Sequence, residues 1–188
     1  MDHSKVKIYI INGMGRAGKD TFAQYVNEAI VQLTNHERSV FKLSTIDWPK
    51  EVCKFAGWDG YSKSDKDRKF MSDINLALEA WDDSPLCRTL DRIIGNFEVL
   101  EHGFFFVDLR EPYRIERFKK MCQGEGFQVF TVFITRPDID TITSNAGDAS
   151  TLEPYDYDFY IENNGTLYDF QQKAHEFAQK VILEDCES

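Results

Sequence analysis

Residues 13–21 read Gly-Met-Gly-Arg-Ala-Gly-Lys-Asp-Thr and follow directly on an apolar run, Val6 to Ile11. Gly13, Gly18 and Lys19 fit the phosphate-binding G-x-x-x-x-G-K pattern, with Asp20 where Ser or Thr is usual. No other segment constrains the fold as much, because such a loop needs a buried strand before it and a helix after it. Val6–Ile11 is short and rich in β-branched residues, so it reads as a buried strand. From Lys19 onward, apolar residues recur at Phe22, Tyr25, Val26, Ala29, Ile30 and Leu33, which is helical spacing on one face. The glycines let successive N–H groups curl toward phosphate oxygens, and the helix adds its positive end. A glycine-rich turn without a ligand uses some of the same letters, but the flanking strand and helix favour phosphate.

The rest of the chain alternates in the same way. Val40–Leu43, Phe104–Val107, Phe127–Ile134 and Tyr157–Ile161 read as further strands. Helices are expected from Trp48 to Ala56, from Pro112, and from Leu167 to Ile182. Two consecutive helices stand between the second and third strands. One carries Phe70, Met71, Ile74, Ala77, Leu78 and Trp81, and the other runs from Ser84-Pro85 to Leu100. The pattern predicts an α/β fold: a five-stranded parallel sheet with helices on both faces and right-handed crossovers. Ligands then bind beyond the carboxyl ends of the strands. The chain is expected to form one domain over 1–188, with a helical insertion at about 48–102 and a short lid at about 136–155.

Composition narrows the partners. The net charge is −10, and no basic stripe is visible, so a nucleic-acid polymer is not an expected partner. No apolar run approaches the ~18 residues of a membrane span. Cys53, Cys87, Cys122 and Cys186 lie far apart with no C-x-x-C pair, which predicts reduced thiols, no structural zinc and a cytoplasmic chain. His3, His36, His102 and His175 form no ligand spacing. A homodimer is compatible with all of this.

The loop with its Gly-Lys-Asp-Thr ending resembles the P-loop of phage-type deoxynucleoside monophosphate kinases, and is similar to that of animal-type phosphomevalonate kinases. Arg16 within the loop suits the same group. Asp108-Leu109-Arg110 at the end of the third strand, and Ile161 to Leu167 near the end of the chain, resemble further elements of these kinases. The resemblance implies a P-loop NTPase fold and transfer of the γ-phosphoryl of ATP to a small phosphorylated acceptor, with Mg²⁺ required.

It also implies roles. Gly13, Gly15, Arg16, Ala17, Gly18, Lys19, Asp20 and Thr21 would cradle the ATP phosphates. Asn163 takes the position that in the family lies beside the donor adenine; an Asn-Gly turn capping the last helix accounts for the same letters. Asp20, Thr21 and Asp108 are the candidate Mg²⁺ residues, being hard oxygen donors. Asp20 also suits a helix start with no metal at all. Lys19, Asp108, Arg110 and Arg136 are the catalytic candidates. Asp47, Lys50, Arg68 and Arg110 are the candidates for the acceptor, and Trp48 is read as packing. The segment Asp138 to Pro154 has no Lys or Arg, unlike the lids of the superfamily. One of Arg110, Arg114, Arg117 and Arg136 would then take over, or the lid is structural. Asp156 and Asp158 are read as solvated or near the lid rather than as an acid/base pair. The aromatic runs Phe104–Phe106 and Tyr155–Tyr160 are expected in the core.

A (deoxy)nucleoside monophosphate is the first expected acceptor. The alternatives are a phosphomevalonate- or dephospho-coenzyme A kinase-like enzyme, and a nucleotide-binding regulatory protein that has lost catalysis.

Overall fold

The computed structural model describes residues 3, 6–62, 64–97, 104–137 and 153–186. Five strands, β1 (Lys7–Asn12), β2 (Val40–Ser44), β3 (Phe104–Asp108), β4 (Gln128–Thr135) and β5 (Phe159–Glu162), form one parallel sheet in the order β2-β3-β1-β4-β5. β1 is central: Ile8 lies opposite Phe105 of β3 and Val129 of β4. All six of its residues are buried, including Lys7 and Asn12. That is the expected composition of a strand covered on both faces.

The helices are α1 (Lys19–Leu33), α2 (Asp47–Phe55), α3 (Asp65–Asp82), α4 (Ser84–Phe97), α5 (Pro112–Gly124) and α6 (Leu167–Cys186). The chain divides into two compact units. The first takes the described residues up to Lys42 and from Phe104 onward. Here the period of two sends Tyr9, Ile11, Phe104 and Phe106 to one face of the sheet, against Phe22, Val26 and Ile30 of α1 and Phe170, Phe177 and Val181 of α6. Tyr9 stands at the centre, 5.6 Å from the Phe106 ring and 5.5 Å from that of Phe177, both edge to face. Ile8, Ile10, Phe105 and Val107 alternate to the opposite face and are also buried, as are Ile115, Phe118 and Cys122 of α5, which packs along β4.

Phe104–Phe106 are in the core as expected, but Tyr155–Tyr160 are not all buried. Tyr157 is 6 % exposed while Tyr160 is 61 % exposed, because β5 is an edge strand with one open face. Asp158 is not simply solvated: its Oδ2 accepts from the backbone N–H of Thr131 at 2.7 Å and from its hydroxyl at 2.8 Å, tying the entry of β5 to β4.

The second unit runs through α2, α3 and α4, which pack on one another. Ser64 and Asp67 form a capping box at the start of α3, and the Ser62 and Ser64 hydroxyls hold the Asp67 carboxyl below its usual range. Leu86, Leu90 and Ile93 of α4 are buried. Phe70, Met71, Ile74 and Leu78 of α3 are only half-buried, and Ala77 and Trp81, expected on the same face, are exposed. A helical period marks which residues share a face, but not how far round the helix its neighbours reach. Among the described residues no helix is long and apolar enough to cross a membrane.

Candidate phosphate site

The loop between β1 and α1 takes its shape from three residues in the left-handed region. Gly13 has φ +148°, Arg16 +65° and Gly18 +102°. Gly13 has a second reason to be glycine: a Cβ there would lie 2.3 Å from the Ile134 carbonyl oxygen. Gly18 directly precedes α1, and its own Cβ would stand 2.8 Å from the Asn163 amide nitrogen. Ala17 is buried under the loop, whereas Arg16 is exposed and Gly15 and Thr21 are half-buried.

Lys19 opens α1 and folds back over the loop. Its ammonium donates to the carbonyls of Gly13 at 2.6 Å and Met14 at 3.0 Å. The charge thus stands over the loop backbone, next to the positive end of a 15-residue helix.

Asn12, fully buried at the end of β1, holds the frame. Its amide donates at 2.7 Å to the Arg110 carbonyl and at 2.7 Å to the Tyr157 hydroxyl, and its Oδ1 accepts from Gly13 N at 2.6 Å. One side chain therefore ties together the exits of β1 and β3 and the approach to β5. Burial pushes the Tyr157 hydroxyl above its ordinary pKa. Asn163 does a similar job: its amide donates to the Ala17 carbonyl at 3.0 Å, and its backbone N–H to Thr135 O at 2.7 Å. The Asn-Gly turn does not itself cap the last helix. Thr166 does, in reciprocal hydrogen bonds with Asp169, while Lys173 clamps the turn through the Glu162 carbonyl at 2.6 Å and Asn164 Oδ1 at 2.8 Å.

The metal candidates converge in part. Asp20 and Asp108 both meet the ammonium of Lys42: it pairs closely with Asp20 Oδ1 and lies 3.0 Å from Asp108 Oδ2. On β2, Lys42 shares the face of Val40, which turns toward α1. On β3, Asp108 shares the face of Phe104 and Phe106. The strand period and the sheet order together bring the three charges to one point. An open pocket of about 230 Å³ adjoins them, lined by Asp20, Ala23, Gln24, Asn27, Val40 and Lys42. Among the described residues no group of three or more His, Cys, Asp or Glu side chains is placed to hold a metal. Two carboxylates are nonetheless a fitting donor set for Mg²⁺, which takes one or two of them and fills its octahedron with phosphate oxygens and water.

Sequence reasoning did not single out Lys42. The signal was a lone charge inside a Val-Phe-Lys-Leu strand.

The arginines are scattered. Arg110 is half-buried at the exit of β3, and Arg136 and Arg117 are exposed. Arg114 is 3 % exposed and lies 3.5 Å from Glu111. Of the expected lid at about 136–155, residues 138–152 lie outside the described residues.

The acceptor candidates Asp47, Lys50 and Arg68 belong to the second unit. Asp47 accepts from Ser44 N at 3.0 Å, pairs with Arg92 at 3.2 Å and lies 3.7 Å from Lys50. Arg68 is exposed in the first turn of α3. Trp48 packs as expected: the Arg88 guanidinium stands 5.1 Å over its ring. These two line a pocket of about 280 Å³ with Glu51, Asp91 and Arg92. The charges around it balance. Cys53 and Cys122 are buried; burial raises the pKa of both thiols, that of Cys122 to about 12, which disfavours the thiolate.

Neither a family model nor a curated protein matches the sequence. Solved structures do match the fold. The APS kinase CysC of Mycobacterium tuberculosis, in complex with AMPPNP and APS, is 16% identical with a TM-score of 0.56, over 98% of this chain and 99% of that one. The tunicamycin resistance protein of Deinococcus radiodurans is 14% identical with a TM-score of 0.54, over 93% of this chain and 94% of that one. With its five-stranded parallel sheet, the chain shares the α/β fold of these solved structures.

Proposed function

We propose that the chain is an ATP-dependent small-molecule kinase, and that a (deoxy)nucleoside monophosphate is its acceptor. The observation that carries the reading is the loop itself. Gly13, Arg16 and Gly18 give the loop its left-handed backbone, and the Lys19 ammonium stands over the carbonyls of Gly13 and Met14. A fold neighbour crystallised with a nucleotide analogue and a small acceptor adds support.

In this reading ATP phosphates displace the Lys19 ammonium from the loop carbonyls. The ammonium then follows charge as it shifts during transfer. Backbone N–H groups of residues 15–19 and the start of α1 bind the β-phosphate region, and Thr21 faces the α-phosphate. Asn163 and Asn12 keep the loop from relaxing, so its donors need no reorganisation when charge develops. Mg²⁺, held near Asp20 and Asp108, would screen the phosphate oxygens as the γ-phosphoryl leaves. Arg110 and Arg136 would supply further positive charge, and Asp47, Lys50 and Arg68 would recognise the acceptor. The protein does little covalent work; it aligns two anions and neutralises their repulsion.

The test is a panel of acceptors with Mg–ATP, read as ADP release. It would include nucleoside and deoxynucleoside monophosphates, phosphomevalonate, dephospho-coenzyme A and APS. Turnover with a monophosphate is expected. Turnover with another acceptor alone would move the chain to the second kinase reading. Tight ATP binding with no transfer to any acceptor would make it a regulatory nucleotide-binding protein.

A further inference from the structure

We propose that Lys42 is a displaceable internal counter-ion: its ammonium neutralises the Asp20–Asp108 pair in the metal-free protein and leaves when a divalent cation arrives with the nucleotide. The proposal rests on the P-loop reading above for what arrives, and on the charge geometry for the rest.

Asp108 is the more shielded carboxylate of the pair. Its side chain is 23 % exposed at the end of a buried strand, whereas Asp20 is 91 % exposed. A shielded carboxylate without a countercharge is destabilising, and Lys42 supplies one at 3.0 Å.

The same contact blocks a metal. A divalent ion bound by Asp20 Oδ1 and Asp108 Oδ2 would compete with the ammonium for the same oxygens, and two cations repel strongly at such separations. Free Mg²⁺ therefore binds poorly. Mg²⁺ already carried by nucleotide phosphates brings its own negative charge and can expel the lysine. Lys42 has somewhere to go, since it lines the open pocket beside α1 with Gln24 and Asn27. The strong departure from the usual hydroxyl at position 20 then has a purpose: an exposed carboxylate at the helix start draws Lys42 across to Asp108 and leaves it free to move off. Lys42 is a positioning residue, and it makes metal binding conditional on nucleotide.

The test measures Mn²⁺ binding without nucleotide, by loss of the free-ion paramagnetic resonance signal, in wild type, Lys42→Met and Lys42→Arg. Lys42→Met should bind Mn²⁺ about tenfold tighter than wild type or more, as expected from removing one positive charge near a divalent ion. Lys42→Arg should stay near wild type. Adding Asp20→Asn to Lys42→Met should remove the gain. Lys42→Met that is folded by circular dichroism yet binds Mn²⁺ no tighter overturns the proposal. If Lys42→Met does not fold, the wild-type chain decides. After ¹³C-methylation of its lysines, the Lys42 resonance, assigned by its loss in Lys42→Arg, should shift with Mg–ADP and not with ADP alone. An unmoved resonance overturns the proposal. Neither readout needs an acceptor or turnover, so this idea and the kinase reading can fail separately.

Discussion

The side-chain amide of Asn163 donates to the backbone carbonyl of Ala17 across 3.0 Å, so the turn before the last helix braces the phosphate loop. The contact joins residues 146 positions apart. Asn163→Ala removes the brace on the loop. We expect nucleotide affinity to fall about fivefold, the worth of one net hydrogen bond of about 1 kcal/mol. Calorimetric titration with ATP checks this, and an unchanged Kd would show that the loop holds its shape alone.

Gly13 tolerates no side chain. A Cβ would stand 2.3 Å from the Ile134 carbonyl oxygen, and φ is +148°. The atoms it meets are all backbone of Ile134, inside the sheet on β4, and cannot swing aside. Gly13→Ala should lower stability by about 2–4 kcal/mol in urea denaturation. Gly18→Ala should be milder, because its nearest neighbour is the Asn163 side chain.

In the proposed function Lys19 serves the ligand rather than the fold. Its bonds run to loop carbonyls that a phosphate complex would release. Lys19→Met should leave the melting temperature nearly unchanged and lower kcat by about 100-fold or more. Phosphotransfer at the wild-type rate in this variant would remove the loop from the mechanism.

Tyr157→Phe isolates the Asn12 network. The Tyr157 oxygen accepts one of the two N–H bonds of the fully buried Asn12 amide. Its loss strands a donor without water, which costs about 1–3 kcal/mol. Chemical denaturation of the two proteins at neutral pH reads the difference directly.

The cap of α6 gives a pH dependence. Hydrogen bonds from the Thr166 hydroxyl and N–H hold the Asp169 carboxyl below its usual value of 3.8. The folded state binds its proton less readily than the unfolded state, so the stabilisation is complete above the unfolded value. It is lost as pH falls through the lowered folded value. Thermal melts should therefore separate wild type from Asp169→Asn at pH 5 to 7 and bring them together in acid. A gap that persists in acid would assign the effect to shape instead of charge.

The local plan of the chain was legible without coordinates. Lys19–Leu33 is a helix because its apolar residues follow a helical period, and β1 is central because it has no polar face to offer water. The edge character of β5 was not legible, since Tyr155 to Tyr160 carry the same aromatic letters whether or not a second neighbour covers them. Nor was the role of Asn163. An Asn-Gly turn reads as a cap, but Thr166 takes the cap and releases Asn163 for Ala17.

What the sequence determined by itself was the strand, glycine loop and helix around Gly13–Thr21, because each depends on residues a few positions away. Only the tertiary structure decided what that loop meets. Asp20 is 22 residues from Lys42, and both are far in sequence from Asp108. Their encounter follows from β2, β3 and β1 lying side by side, with alternate side chains turned to the face that α1 covers. Spacing along a chain encodes which face a side chain takes, but the electrostatic partner it finds there is set by which strands pair.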